Sequence, residues 1–205
     1  MIKKILGGKM KRRILVTFLL LMVGSMLISA SNFGLGIEFP GTHEFSYETA
    51  STSYDTNMGF GVFSEFYTEM SKSPSVNFEG GFGVAYLFPR GIDDEGFDGD
   101  PTVSYLPFYL MGQLVSSGQN SPSLFGKVKF GYDLMFGNDE YSGDMDLNGG
   151  LFMGFGGGMI LQNNMFIELS YQILNGSIDL NSFRDSDTMD IKQSNLSILL
   201  GMRMK

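Results

Sequence analysis

From residue 32 onward the chain alternates apolar and polar or small residues with a period of two. Between Asn77 and Phe88, one parity holds Phe78, Phe82, Val84, Tyr86 and Phe88, and the other holds Asn77, Glu79, Gly81, Gly83 and Ala85. Between Leu124 and Phe136, Leu124, Val128, Phe130, Tyr132, Leu134 and Phe136 oppose Phe125, Lys127, Lys129, Gly131, Asp133 and Met135. Leu151, Met153, Phe155 and Met159 oppose Gly150, Phe152, Gly154, Gly156 and Gly158, and Ile167, Leu169, Tyr171 and Ile173 oppose Phe166, Glu168, Ser170 and Gln172. Successive side chains of a strand point to opposite faces, so this pattern predicts β-strands. No stretch beyond residue 31 sustains a helical period.

Eight such segments are predicted: 32–40, 58–70, 76–89, 103–117, 123–136, 148–161, 165–177 and 191–204. Most exceed the usual soluble strand and are long enough to cross a bilayer, which takes about 9–11 residues. The connections alternate in length. Residues 41–57, 90–102, 137–147 and 178–190 are long; 71–75, 118–122 and 162–164 are short and hold Ser73-Pro74, Ser121-Pro122 and Asn163-Asn164. Short turns on one side and long loops on the other describe an all-β, eight-stranded antiparallel up-and-down transmembrane barrel, with both ends on the short-turn, periplasmic side.

A secreted soluble barrel such as a lipocalin would alternate equally well. Side-chain size separates the two. One face is built from Gly, Ala, Ser, Asn and a few charges, the other from Phe, Leu, Ile, Met and Tyr. An eight-stranded barrel encloses only enough room for side chains or one small ligand, so the bulky face must point outward, into lipid.

The N-terminus adds the route. Lys3, Lys4, Lys9, Lys11, Arg12 and Arg13 precede an apolar run from Ile14 to Ile28 and the small residues Ser29, Ala30 and Ser31. Residues 1–30 are therefore expected to be a secretory signal peptide that is removed, leaving 32–205 as the barrel domain; Met10 is an alternative start. Removing the segment takes away six of the 14 basic residues and leaves eight against 22 acidic ones, a net charge of −14. Nucleic acid is excluded as a partner, because phosphate binding needs clustered Lys and Arg. With no cysteine there is neither a disulfide nor a thiolate metal site.

The run from Gly149 to Met159, the turn Asn163-Asn164 and the strand Phe166-Ile167-Glu168-Leu169-Ser170-Tyr171 resemble the penultimate hairpin of small Gram-negative outer-membrane barrels. These are the outer membrane protein X and outer membrane protein A transmembrane-domain class, within the porin-family β-barrel domains. The alternating Leu196, Ile198, Leu200, Met202 and Met204 resemble their C-terminal signal, although the chain ends on Lys205 and not on an aromatic residue. The resemblance implies an outer-membrane location, outer-membrane lipids as surroundings and the barrel-assembly machinery as a partner during biogenesis.

The small-residue face carries charge. Glu38, Glu65, Glu79, Lys127, Lys129, Asp133, Glu168 and Arg203 are expected inside, with Glu69 at the periplasmic rim; Glu38, Glu65, Glu79, Lys127, Lys129 and Glu168 are expected to share one layer. Such groups can pair into a network that fills the lumen, or line a narrow cation-preferring path. The long loops are acidic, with Asp93, Asp94, Glu95, Asp98 and Asp100 in the second, Asp139, Glu140, Asp144 and Asp146 in the third, and Asp179, Asp185, Asp187 and Asp190 in the fourth. Asp98-Gly99-Asp100 and Asp144-Met145-Asp146 are rich in oxygen ligands but lack a twelve-residue calcium loop with its closing Glu, so no metal or cofactor is expected. The loops are read as a solvated rim offered to an extracellular protein or surface ligand.

Some outer-membrane barrels modify lipid A, and that chemistry needs an activated Ser with a His base. The one histidine, His43, near Ser46, is read as an exposed loop residue on the opposite face from that serine, and no catalytic site is assigned. Tyr86, Phe88, Tyr105 and Phe136 stand at the long-loop ends of their strands, where an interfacial aromatic girdle belongs.

Overall fold

The computed structural model describes residues 30–47, 50–91, 102–116, 122–137, 145–181 and 186–204. Ten strands follow one another: β1 (Ala30–Glu38), β2 (Thr42–Tyr47), β3 (Ala50–Asp55), β4 (Gly59–Lys72), β5 (Val76–Gly91), β6 (Thr102–Ser116), β7 (Ser123–Gly137), β8 (Met145–Ile160), β9 (Met165–Asn181) and β10 (Ser186–Met204). Eight of them form an antiparallel ring in the order β1, β4, β5, β6, β7, β8, β9, β10, closed where β1 pairs with β10 from Ser31–Met204 to Glu38–Ser197. The predicted eight-stranded up-and-down barrel is thus the architecture of the chain.

The alternation sorts the side chains as the barrel demands. Val128 is 62% exposed between Lys127 at 3% and Lys129 at 4%, and Leu35 is 65% exposed between buried Gly36 and half-buried Gly34. Apolar residues face out and charges face in, the inverse of a soluble protein. Only lipid makes that arrangement stable, since a lysine turned to the bilayer midplane costs about 2–4 kcal/mol. On β10 the outward apolar series runs from Met204 up to Leu196 and then gives way to Ser194, Lys192 and Asp190, which marks the outer edge of the membrane band.

The interior is not made of small residues alone. Phe63, Tyr67, Tyr105, Tyr109, Phe125, Phe152 and Phe166 all point inward and are buried. They fit because glycines stand beside them. A Cβ on Gly83 would lie 2.6 Å from the Tyr109 ring, and one on Gly34 would lie 2.5 Å from Phe63. Tyr105, expected in the girdle, is only 1% exposed and belongs to this core. Its strand carries large residues on both faces, so size alone gave the wrong side. Phe88 and Phe136 do face outward.

Two further departures lie beyond the membrane. The expected first long loop contains the hairpin β2–β3, whose β2 pairs with the upper part of β10 from Thr42–Ser194 to Ser46–Asp190. Its outward face is polar (Thr42, Glu44, Ser46 and Ser53) and its inward face holds only His43, Phe45, Thr52 and Tyr54, so the apolar period is too short to announce it. The fourth long loop, expected over 178–190, is largely strand, because β9 and β10 pair up to Asn181–Ser186. β1 and β2 are separated only by Phe39, Pro40 and Gly41, and β3 and β4 only by Thr56, Asn57 and Met58. Across this break the Thr56 N–H donates to the Gly41 carbonyl at 3.0 Å, and the Gly41 N–H to Thr56 Oγ1 at 3.1 Å.

On the periplasmic side the two described turns, between β4 and β5 and between β8 and β9, are tight. Between β8 and β9, Asn164 adopts a left-handed backbone with φ of 62°, a conformation that Asn tolerates better than most residues. Residues 118–121 of the predicted second turn (118–122) and the last residue of the predicted strand 103–117 lie outside the described residues, as does the expected signal peptide up to residue 29.

Candidate functional site: the lumen

The lumen holds its polar residues in tiers, not in one layer. Nearest the periplasm, Arg203 Nη2 contacts both Glu79 oxygens at 2.6 and 2.7 Å, and the Gln113 amide donates to the same carboxylate. Glu79 thus stands apart from the layer expected to include it. The alternation gives the face of a residue but not its height, because the strands are staggered around the ring.

Above this pair, Lys127 and Lys129 on β7 meet Glu65 on β4 and Glu168 on β9. Lys127 Nζ lies 2.8 Å from Glu65 and 2.6 Å from Glu168; Lys129 Nζ lies 3.2 and 2.9 Å from the same two carboxylates. All four side chains are buried and their charges balance. The hydroxyls of Tyr67 and Tyr109 both donate to Glu65, the second at 3.1 Å, and Asn32 Nδ2 donates to the Tyr67 hydroxyl at 3.0 Å. The rings of Tyr67, Phe125 and Phe166 surround Lys127 Nζ, with centroids 5.2–5.8 Å away. Dehydrating four ions is costly, and only good geometry with further hydrogen bonds offsets it. Here both conditions are met, so the cluster forms a wall across the lumen.

Over the cluster lies a cavity between Gly36, Gly61, Phe63, Phe152 and Gln172, with about 20 Å³ of space for water centres, room for one or two molecules. Higher still, Glu38 on β1 forms a buried ion pair with Arg90 on β5. Glu38 therefore also stands outside the expected layer. Arg90 escaped the sequence reading for a local reason. The sequence pattern ends this strand at residue 89 and puts Arg90 in the long loop 90–102, whereas β5 runs to Gly91 and a register shift against β6 between Leu87 and Arg90 turns this even-numbered residue inward.

Asp133 is fully buried but joins no lysine. Its Oδ1 accepts the Gly150 N–H at 2.8 Å, at the register shift of β8 between Gly149 and Phe152. Tyr132 donates to the Gly149 carbonyl at 2.7 Å, and Asn175 to that of Leu151 at 2.9 Å, so three side chains secure one bulge.

The outermost tier was not legible beforehand. His43 on β2, expected to be exposed, is 1% exposed, with Nε2 2.6 Å from the Tyr105 hydroxyl. Burial lowers its pKa from 6.5 to about 4. Ser46 is bonded to Ser51 at 3.4 Å, so the two residues weighed as a nucleophile and its base are not paired. Beside His43, Gln193 and Asn195 on β10 are buried, and neither amide has a hydrogen-bond partner among the described residues; the same holds for His43 Nδ1. Phe45, Ile178, Ile191 and Met189 belong to the apolar cluster at this outer end. Glu69 lies at the rim, partly exposed and 3.9 Å from Lys72.

Of the acidic loop residues, Asp93, Asp94, Glu95, Asp98, Asp100, Asp139, Glu140, Asp144 and Asp185 lie outside the described residues, and with them the first candidate calcium pair and one member of the second, whose Asp146 lies at the start of β8. Asp179 accepts hydrogen bonds from Asn148 at 2.9 Å and Thr188 at 2.8 Å, tying together the extensions of β8, β9 and β10.

No family model matches the chain. No curated protein matches it. Among solved structures it is similar to outer membrane protein AlkL, determined by solid-state NMR in lipid bilayers, with a TM-score of 0.51 and 15% identity over 86% of this chain and 89% of that one. It also matches outer membrane protein OprG from Pseudomonas aeruginosa (TM-score 0.48, 13% identity, 85% and 94% covered) and Neisserial surface protein A (0.48, 10%, 85% and 98%). The likeness to AlkL places the fold among outer-membrane β-barrels.

Proposed function

We propose that this chain is exported through a cleaved signal peptide and serves as a structural or surface-interaction barrel of the outer membrane, its role carried by what it displays outside. The observation that supports this is the buried cluster of Glu65, Glu168, Lys127 and Lys129, which balances its own charge in the middle of the lumen. A conducting path needs sites weak enough for ions to leave. Here each carboxylate is engaged by both lysines, leaving no weak site for a passing ion. The outward extensions of β8, β9 and β10, with the β2–β3 hairpin, are the part offered to an extracellular protein or surface ligand.

Complementation of a deletion strain tests the assignment. A barrel in which residues 42–55 are replaced by a short turn should assemble and fail to complement. A barrel with the lumen cluster made apolar as a set (Glu65, Glu168, Lys127 and Lys129 all to Leu or Met) should complement if it assembles. The reverse pattern, together with cation-selective single-channel conductance from the purified protein, would establish the narrow-channel reading instead.

A further inference from the structure

We propose that the β2–β3 hairpin is a proton-released lid over the outer lumen, with His43 as its latch. Three features carry this. The first is the break at both ends of the hairpin, at Phe39-Pro40-Gly41 and Thr56-Asn57-Met58, where a proline interrupts one strand, the two Gly41–Thr56 bonds join the two chain segments, and the Phe39 N–H still donates to the Leu196 carbonyl of β10 at 2.8 Å. Beyond this break the hairpin meets the barrel along a single edge, five residue pairs between β2 and β10.

The second is the setting of His43. It packs on Phe45, with ring centroids 5.5 Å apart, and reaches across the lumen to the Tyr105 hydroxyl on β6. Its other ring nitrogen, Nδ1, is buried and has no partner among the described residues. Among the described residues no carboxylate is bonded to it. Glu38 on β1 is paired with Arg90 on β5, Asp133 on β7 is held by Gly150, and its cross-strand neighbours are Tyr54 on β3 and Gln193 on β10. The charged residues beside it in the chain and on β10, Glu44 and Lys192, are on the outward face and pair with each other at 3.9 Å. A neutral imidazole fits this site. An imidazolium does not, since it would add a buried charge and a second N–H donor with nothing to receive it.

The third is what the lid covers. The amides of Gln193 and Asn195, on the inward face of β10 beside the hairpin, are buried without partners among the described residues. Water reaching them on opening would satisfy both, so the closed state rests on Phe45 packing, the β2–β10 pairs and the Tyr105 bond. Opening returns His43 to water and to its ordinary titration. The imidazole titrates at about 4 when closed against 6.5 in water, so the open form takes up the proton. Closure is therefore independent of His43 charge above pH 6.5 and weakens as pH falls from 6.5 to 4, by up to a few hundredfold, roughly, in the open-to-closed ratio.

Hydrogen–deuterium exchange on the refolded full barrel reads this directly. Protection of the 42–47 backbone amides is compared at pH 7.5 and 4.5, after correction for intrinsic exchange, with that of 33–38 on β1 as internal reference. The lid reading expects the ratio of the two to fall at least tenfold at acid pH. It also expects the fall to vanish in His43→Gln, whose amide can hydrogen-bond the Tyr105 hydroxyl but does not titrate; His43→Phe serves if that variant does not refold. A ratio unchanged between the two pH values overturns the proposal, as does an equal fall in the non-titrating variant.

Discussion

The inner and outer halves of one lumen solve the same problem in opposite ways. Around Glu65 and Glu168 every charge has an opposite neighbour, and hydroxyls of two tyrosines take up remaining lone pairs of Glu65. Around Gln193 and Asn195 the groups are neutral, buried and without partners among the described residues. A buried polar group left unsatisfied costs about 1–3 kcal/mol, so the two halves differ in what rigidity they can sustain. The inner half is a fixed plug. The outer half closes under a segment that is easily lifted.

Removing one partner from the plug should have the largest effect. Lys127→Met leaves two carboxylates facing one lysine in a dry interior, so a loss of about 3–5 kcal/mol is expected, read as a shift in the urea midpoint of the barrel refolded in detergent. Arg90→Leu should fall just below this, about 3 kcal/mol, because it strands Glu38 at the border of the two halves; rescue by Glu38→Gln on the same background would show that the cost is the unpaired charge. Gly83→Ala tests the plug through packing. The added methyl group enters the Tyr109 ring and disturbs its bond to Glu65, for an expected loss of about 1–3 kcal/mol. The smallest change should come from the outer half, where Gln193→Leu removes two unsatisfied groups and is expected to be neutral or to stabilise by about 1 kcal/mol. If Gln193→Leu cost as much as Lys127→Met, the contrast between the halves would be lost.

How far these halves could be read in the sequence depended on one property. Parity was enough for Lys127 and Lys129, which flank an outward Val128, and for Glu65, Glu79 and Glu168. It said nothing about height, so tiers that are separate in space were merged. Parity also failed wherever a strand departs from regular pleating. Arg90 lies past the bulge after Leu87, where the alternation stops and a loop is expected, and the bulge at Gly149–Phe152 gave Asp133 a backbone partner that no pattern announces. His43 was missed for a different reason. Its hairpin is buried on one side by only Phe45 and His43 itself, too few residues to show a period, and its seat is supplied by β10, more than a hundred residues later in the chain.

β10 has a further consequence, for the order of assembly. Its lower part supplies the closing edge to β1 and its upper part, among the described residues, the one barrel edge on which β2 rests. The last of the described strands therefore makes contacts with the greatest sequence separation, and pairing of that kind is slow. Until it arrives, the ring is open and the hairpin has no seat. Docking of the hairpin, observed in time, would therefore report that the barrel has closed.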